Sequence, residues 1–135
     1  MECYTTYFAN IRNLPVEIVP ISICGKAPDG WSGLQYKRLA PKLWFFKQWR
    51  QSHDNELYIR CFNAEVLDKL DRDEVWSQLL EISEGRPFAL VCYEKPKDFC
   101  HRHLVAKWLR QKGYNIDEWN GAFEKSLQLE FFGIS

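Results

Sequence analysis

Gly85-Arg86-Pro87-Phe88-Ala89-Leu90-Val91-Cys92-Tyr93-Glu94-Lys95-Pro96 is the stretch on which the fold turns. Gly85 and Pro87 end whatever precedes them, and the apolar run from Phe88 to Cys92 is unbroken until the turn at Pro96. A short apolar run without polar alternation reads as a strand covered on both faces, as in a parallel sheet between helices. Upstream, Asp71-Arg72-Asp73-Glu74 has the form of a capping box with Asp in place of Ser or Thr. Val75, Leu79 and Ile82 then form one helical stripe, with Trp76 and Leu80 beside it. Downstream, Asp98 is the N-cap candidate of a helix that carries His101, Leu104, Val105, Trp108 and Leu109 and stops at Gly113.

Working outward, Cys3 to Ala9 and Val16 to Cys24 are β-prone, and Pro20 suggests an edge or a bulge in the second run. Gly25 to Gly33 is a loop. Pro41 opens a helix reaching about Gln51. Leu57 to Phe62 reads as a short strand, Asn63 caps a short helix through Leu70, and Leu127 to Phe132 reads as a last strand. Strand and helix alternate from Leu57 onward, which predicts a three-layer α/β sandwich with a mostly parallel sheet. Ligands of such sheets bind beyond the carboxyl ends of strands, here the turns after Phe62 and after Cys92.

The 135 residues suit one α/β domain over 1–135. Lys+Arg and Asp+Glu both number 18, so bulk charge does not hold this chain on nucleic acid or on an anionic membrane. The balance is uneven, however. Residues 25–51 hold six cations against Asp29, a local +5 that the remainder offsets with −5. The same stretch holds Trp31, Tyr36, Trp44, Phe45, Phe46 and Trp49, and cations among aromatic rings suit a phosphate beside a stacked base. The ordinary alternative is a helix with aromatic residues in the core and cations in water. No segment approaches a membrane span, and the N-terminus has no signal-peptide pattern. Five cysteines, an odd number placed mostly in apolar runs, predict a reducing cytoplasmic setting.

Cys92-Tyr93-Glu94 and Cys100-His101-Arg102 carry the chemistry. The second triplet enters the first turn of a helix, where the backbone presents roughly half a positive charge and unpaired N–H groups. Cations there call for a negative partner, either Glu94 and Asp98 or a bound phosphate or carboxylate. Cys100 in that field is a candidate thiolate nucleophile, with a buried structural thiol as the alternative. Glu94 is a candidate acid/base or ribose-hydroxyl acceptor, with a salt bridge to Arg102 as the alternative. Cys92, Cys100, His101 and His103 match no paired metal spacing, since His101 and His103 face different sides of a helix, so no metal is expected. Arg12, Trp31 and Lys42 join Cys92, Glu94, His101 and Arg102 as candidate ligand contacts, and no cofactor is expected.

Leu90-Val91-Cys92-Tyr93-Glu94 followed by Cys100-His101-Arg102 resembles the signature of domain of unknown function 488. Leu39-Ala40-Pro41 is similar to a segment of one subgroup, and Asn10-Ile11-Arg12 stands where that family often has Asp-x-Arg. The resemblance runs from about Tyr7 to Tyr114 and implies a Rossmann-like fold without naming an activity. Three functions follow as expectations. The first is binding, with sequestration, of a nucleotide or nucleotide-derived signal at strand carboxyl ends. The second is a hydrolase or transferase acting on a nucleoside, nucleotide or nucleic acid, with Glu94 as acid/base. The third is nucleic-acid binding through residues 25–51. The expected partner is a nucleotide-like small molecule; the sequence is also compatible with nucleic acid and a homo-oligomer, but not with a membrane.

Overall fold

The computed structural model describes residues 1–119. Five strands, β1 (Cys3–Tyr7), β2 (Val19–Ser22), β3 (Leu34–Gln35), β4 (Phe88–Cys92) and β5 (Ile116–Glu118), form one sheet in the order β3-β2-β4-β1-β5. Every pairing is parallel. The helices that flank the sheet are α1 (Leu43–Ser52), α2 (Asn55–Glu65), α3 (Arg72–Ile82) and α4 (His101–Arg110). This is the expected α/β architecture, an all-parallel Rossmann-like sandwich.

β4 lies at the centre, and all five of its residues are buried. The reason is the unbroken apolar run: polar side chains have no place on a strand covered on both faces. Phe88 and Leu90 enter a large cluster with Phe45, Phe62, Leu79 and Leu109, one residue from each α-helix. Ala89 turns the other way, against Ile18 and Trp119. β3 pairs with Ile21 and Ser22, so among the described residues Pro20 sits where β2 has no partner on that side. A residue without an N–H is tolerated there, as the edge reading requires.

The helix around Asp71 forms as its cap predicts. Asp71 accepts from the Glu74 N–H at 3.0 Å, and Val75, Trp76 and Leu79 are buried. Leu57 to Phe62, expected as a strand, is instead the body of α2. Asp54 caps it by accepting from the Leu57 N–H at 3.1 Å, and Tyr58 and Phe62, four residues apart, supply its buried face. That (i, i+4) pair is a helical signal, but a six-residue apolar window hides it. The helix expected from Asn63 is therefore the end of α2, followed by a single 3-10 turn at Leu67–Lys69. As a result, the turn after Phe62 is not a strand end; β2 and β4 supply the carboxyl ends that shape the site. β3 and β5 were not foreseen, being two and three residues long. The strand expected at Leu127 to Phe132 lies outside the described residues. Among those described, no helix is long and apolar enough to cross a membrane.

Candidate functional site

A cavity of about 500 Å³ opens beyond the carboxyl ends of β2 and β4. Its floor is made by Cys24, just past β2, by Cys92 at the end of β4, and by Cys100 and His101 at the start of α4. One wall is aromatic. Trp49 of α1, Tyr58 of α2 and Phe99 before α4 all line it, with ring centroids 4.9 to 5.8 Å apart. These rings converge because α1 and α2 form a tight pair. His53 takes a left-handed conformation at φ 53° between them, and its N–H donates to the Trp49 carbonyl. The Trp49 indole N–H donates to Asn55 Oδ1 at 2.7 Å, which orients the ring. Glu94 is the half-buried acidic group in the lining, and exposed Lys26 and Arg50 belong to the same lining.

α4 starts two residues later than its expected cap. Asp98 is held in a turn by its N–H donating to the Lys95 carbonyl, and Cys100 occupies the N-cap position. His101 is buried, and its Nε2–H donates to the Ile23 carbonyl at 2.8 Å. A carbonyl only accepts, so the ring proton lies on Nε2 and the Nδ1 lone pair faces the sulfurs. Nδ1 lies 3.4 Å from Cys92 Sγ and 4.0 Å from Cys100 Sγ. Burial pushes the imidazole down to about 4, so the ring is neutral near pH 7. The two sulfurs are paired as a disulfide, with the Cα atoms 7.2 Å apart. Cys24 sits in the same sulfur cluster, and burial pushes its thiol up to about 12. Glu94 is raised above the usual carboxylate range, first by burial and then by Asp98, against the opposing pull of Arg102.

Cys92, Glu94, Cys100 and His101 thus share one cavity, and the other candidates lie elsewhere. Arg102 is fully buried, its Nε and Nη2 engage both carboxylate oxygens of Glu118 at 3.0 and 2.9 Å, and Nη1 donates to the Glu94 carbonyl at 2.6 Å. Its guanidinium is occupied inside the fold, and the ion-pair partner is Glu118 rather than the Glu94 side chain. Arg12 is exposed on the 3-10 turn Phe8–Asn13 that follows β1. Lys42 is the exposed residue before α1.

Trp31 packs edge-on against Phe8 at 5.3 Å, and Phe8 meets the cavity-lining Tyr93 at 4.8 Å. The indole is therefore one ring, Phe8, removed from the cavity lining. A Cβ on Gly33 would lie 2.7 Å from that indole, which explains the glycine there. Part of the basic segment is neutralised locally, since Arg38 pairs with Glu74 at 2.6 Å.

Tyr58 and Phe99 line the cavity without being among the residues the sequence points to. The Asp54 cap with the Tyr58/Phe62 spacing was the available signal for the first; nothing local marks the second.

A family model described as "Active DUF488-N3 subclade" matches residues 9–113. The chain belongs to the DUF488 family. The matched region takes in the end of β4 and the whole of α4, hence the complete cavity floor. It also agrees with the span over which the Cys-x-Glu and Cys-His-Arg signature was read. No curated protein and no solved structure matches this DUF488 member.

Proposed function

We propose that this DUF488 protein binds a small nucleotide-like molecule in the cavity beyond β2 and β4. The observation that carries the reading is the aromatic wall of Trp49, Tyr58 and Phe99 facing a carboxylate, with cations in the same lining. Flat π-faces suit a stacked base, Glu94 suits a sugar hydroxyl donor, and Lys26 and Arg50 suit phosphate oxygens. The volume also falls within the range of small-molecule sites, about 300–1,000 Å³. Retention of such a ligand without alteration would sequester it.

The test is a panel of nucleosides and nucleoside phosphates added to purified protein, read by melting temperature and by tryptophan fluorescence. A binder at a hundredfold excess over Kd adds about 2.7 kcal/mol of stability. Trp49→Phe should abolish most of the fluorescence response. A panel that shifts neither signal would sink the reading.

The environment of Glu94 favours a second reading, an enzyme acting on the same class of ligand. Its carboxyl holds a proton above the ordinary carboxylate range because of burial, as a general acid requires. The matched family is described as active, which makes turnover worth measuring. If any panel member is converted, Glu94→Gln is expected to lower the rate by about 10²–10⁴-fold while leaving the melting temperature close to that of the wild type. Unchanged turnover in that variant would remove Glu94 from the chemistry.

A further inference from the structure

We infer that Cys92, Cys100 and His101, with the pair in its dithiol form, make a metal site for a thiolate-preferring divalent ion such as Zn²⁺, open toward the cavity. Sequence spacing predicted no metal, because Cys92 and His101 belong to no compact motif. The fold brings them together: one ligand atom from each of the three residues lies within 4.8 Å of the others. With Zn–S near 2.3 Å and Zn–N near 2.0–2.1 Å, tetrahedral geometry separates a sulfur and a nitrogen ligand by about 3.5 Å. The distances from Nδ1 to the two sulfurs, 3.4 and 4.0 Å, bracket that value.

Three further observations support the assignment. First, the His101 Nε2–H donates to the Ile23 carbonyl, the outer partner that metal-bound imidazoles use to fix their ring orientation. The Nδ1 lone pair is thereby aimed at the sulfurs. Second, Cys100 occupies the N-cap position of α4 and packs in one buried cluster with Cys92, which places both sulfurs beside the imidazole. Third, the Cα atoms of Cys92 and Cys100 are 7.2 Å apart, outside the usual range of about 4.4–6.8 Å for directly bridged cysteines. A longer separation suits an ion placed between the sulfurs.

The neighbouring donors are excluded by their own contacts. His103 turns toward Glu118, 4.0 Å away. Cys24 Sγ is directed at the Val91 carbonyl at 3.8 Å. Three protein ligands with all three residues lining the cavity leave a fourth position facing it, the arrangement of reactive rather than structural zinc sites. Disulfide and metal-bound forms exclude each other. A dithiol supplies two electrons and two protons, or a phosphine supplies the two electrons and becomes its oxide while water provides the oxygen and the two protons; either gives two thiols, and metal binding then releases both protons.

Metal uptake can be read without any nucleotide, so its outcome is separate from that of the binding proposal. The full chain is reduced with a phosphine under anaerobic conditions, freed of metal, and titrated with Co²⁺ and then Zn²⁺. The expected result is about one ion per chain, with a near-ultraviolet thiolate-to-cobalt band and the visible bands of a tetrahedral ion, displaced by Zn²⁺. Cys92→Ser and Cys100→Ser should each lose the band, and Cys61→Ser should keep it. A band unchanged by Cys100→Ser, or no band in the reduced wild type, overturns the assignment. Alkylation of the wild type gives a readout that does not depend on folding of the variants. Zn²⁺ should protect Cys92 and Cys100 but not Cys61, and equal labelling of all three with and without Zn²⁺ overturns the site.

Discussion

Arg102→Ala should lower unfolding stability by about 3 kcal/mol in urea denaturation. The side chain is fully buried and makes three hydrogen bonds, two to the Glu118 carboxylate and one to the Glu94 carbonyl. Among the described residues, truncation leaves Glu118 with the Thr5 hydroxyl, which donates at 2.6 Å, as its direct hydrogen-bond partner. An uncompensated buried charge of this kind costs about 3–5 kcal/mol. The lower end applies because the Glu118 side chain keeps 24% exposure, so water screens part of the loss. The Glu94 carbonyl also loses its donor, and the turn from β4 into the cavity loosens with it. Arg102→Lys should recover little, since an ammonium cannot reproduce the two-pronged contact. Glu118→Gln should also destabilise, because it retains an acceptor but leaves the fully buried Arg102 guanidinium without its counter-charge. A loss below about 0.5 kcal/mol in Arg102→Ala would mean that the pair behaves as a solvent-exposed one.

Phe62→Ala should cost about 3–5 kcal/mol. Phe62 has no exposed surface, stacks on Tyr58 with centroids 6.1 Å apart and planes 13° from parallel, and lies 5.5 Å from the His101 ring. Its removal leaves a void between α2, β4 and α4 that close-packed neighbours fill only in part. Both Tyr58 in the cavity wall and His101 in the floor lose a supporting surface, so the nucleotide and metal binding proposed above should weaken along with stability. Phe62→Leu preserves most of the volume and should cost less than about 1.5 kcal/mol. Equilibrium denaturation measures both. A cost under about 1 kcal/mol for the alanine variant would place Phe62 outside the core, on a surface it does not occupy here.

These two residues also mark where sequence reasoning succeeds and where it stops. Arg102 belongs to the Cys-His-Arg signature, and it lies in the first turn of a helix as the sequence predicts. Its partner is not legible in the sequence, because Glu118 lies 16 residues on, in a three-residue strand with no local pattern. Phe62 was recognised as apolar but assigned to a strand. The signal that decides between the periods is the Asp54 cap together with the four-residue spacing from Tyr58. In contrast, Phe88 to Cys92 was bounded correctly at both ends, because turn residues and an unbroken apolar run leave one consistent reading.

The sequence by itself determined β4, the Asp71 cap and stripe of α3, the helix carrying His101 and Arg102, and the membership of Cys92 and Glu94 in the same segment. Each rests on interactions within a few residues, such as a cap, a period or a chain-breaking glycine or proline, and these are written locally. Only the tertiary structure decided that Cys92 and Cys100 meet beside the imidazole of His101, that Ile23 from 78 residues away orients this ring, and that Trp49, Tyr58 and Phe99 close over the floor. Those juxtapositions follow from the strand order β3-β2-β4-β1-β5, which sets β2 and β4 side by side. That order is selected by burial of both sheet faces at once, a property of the whole chain rather than of any window within it.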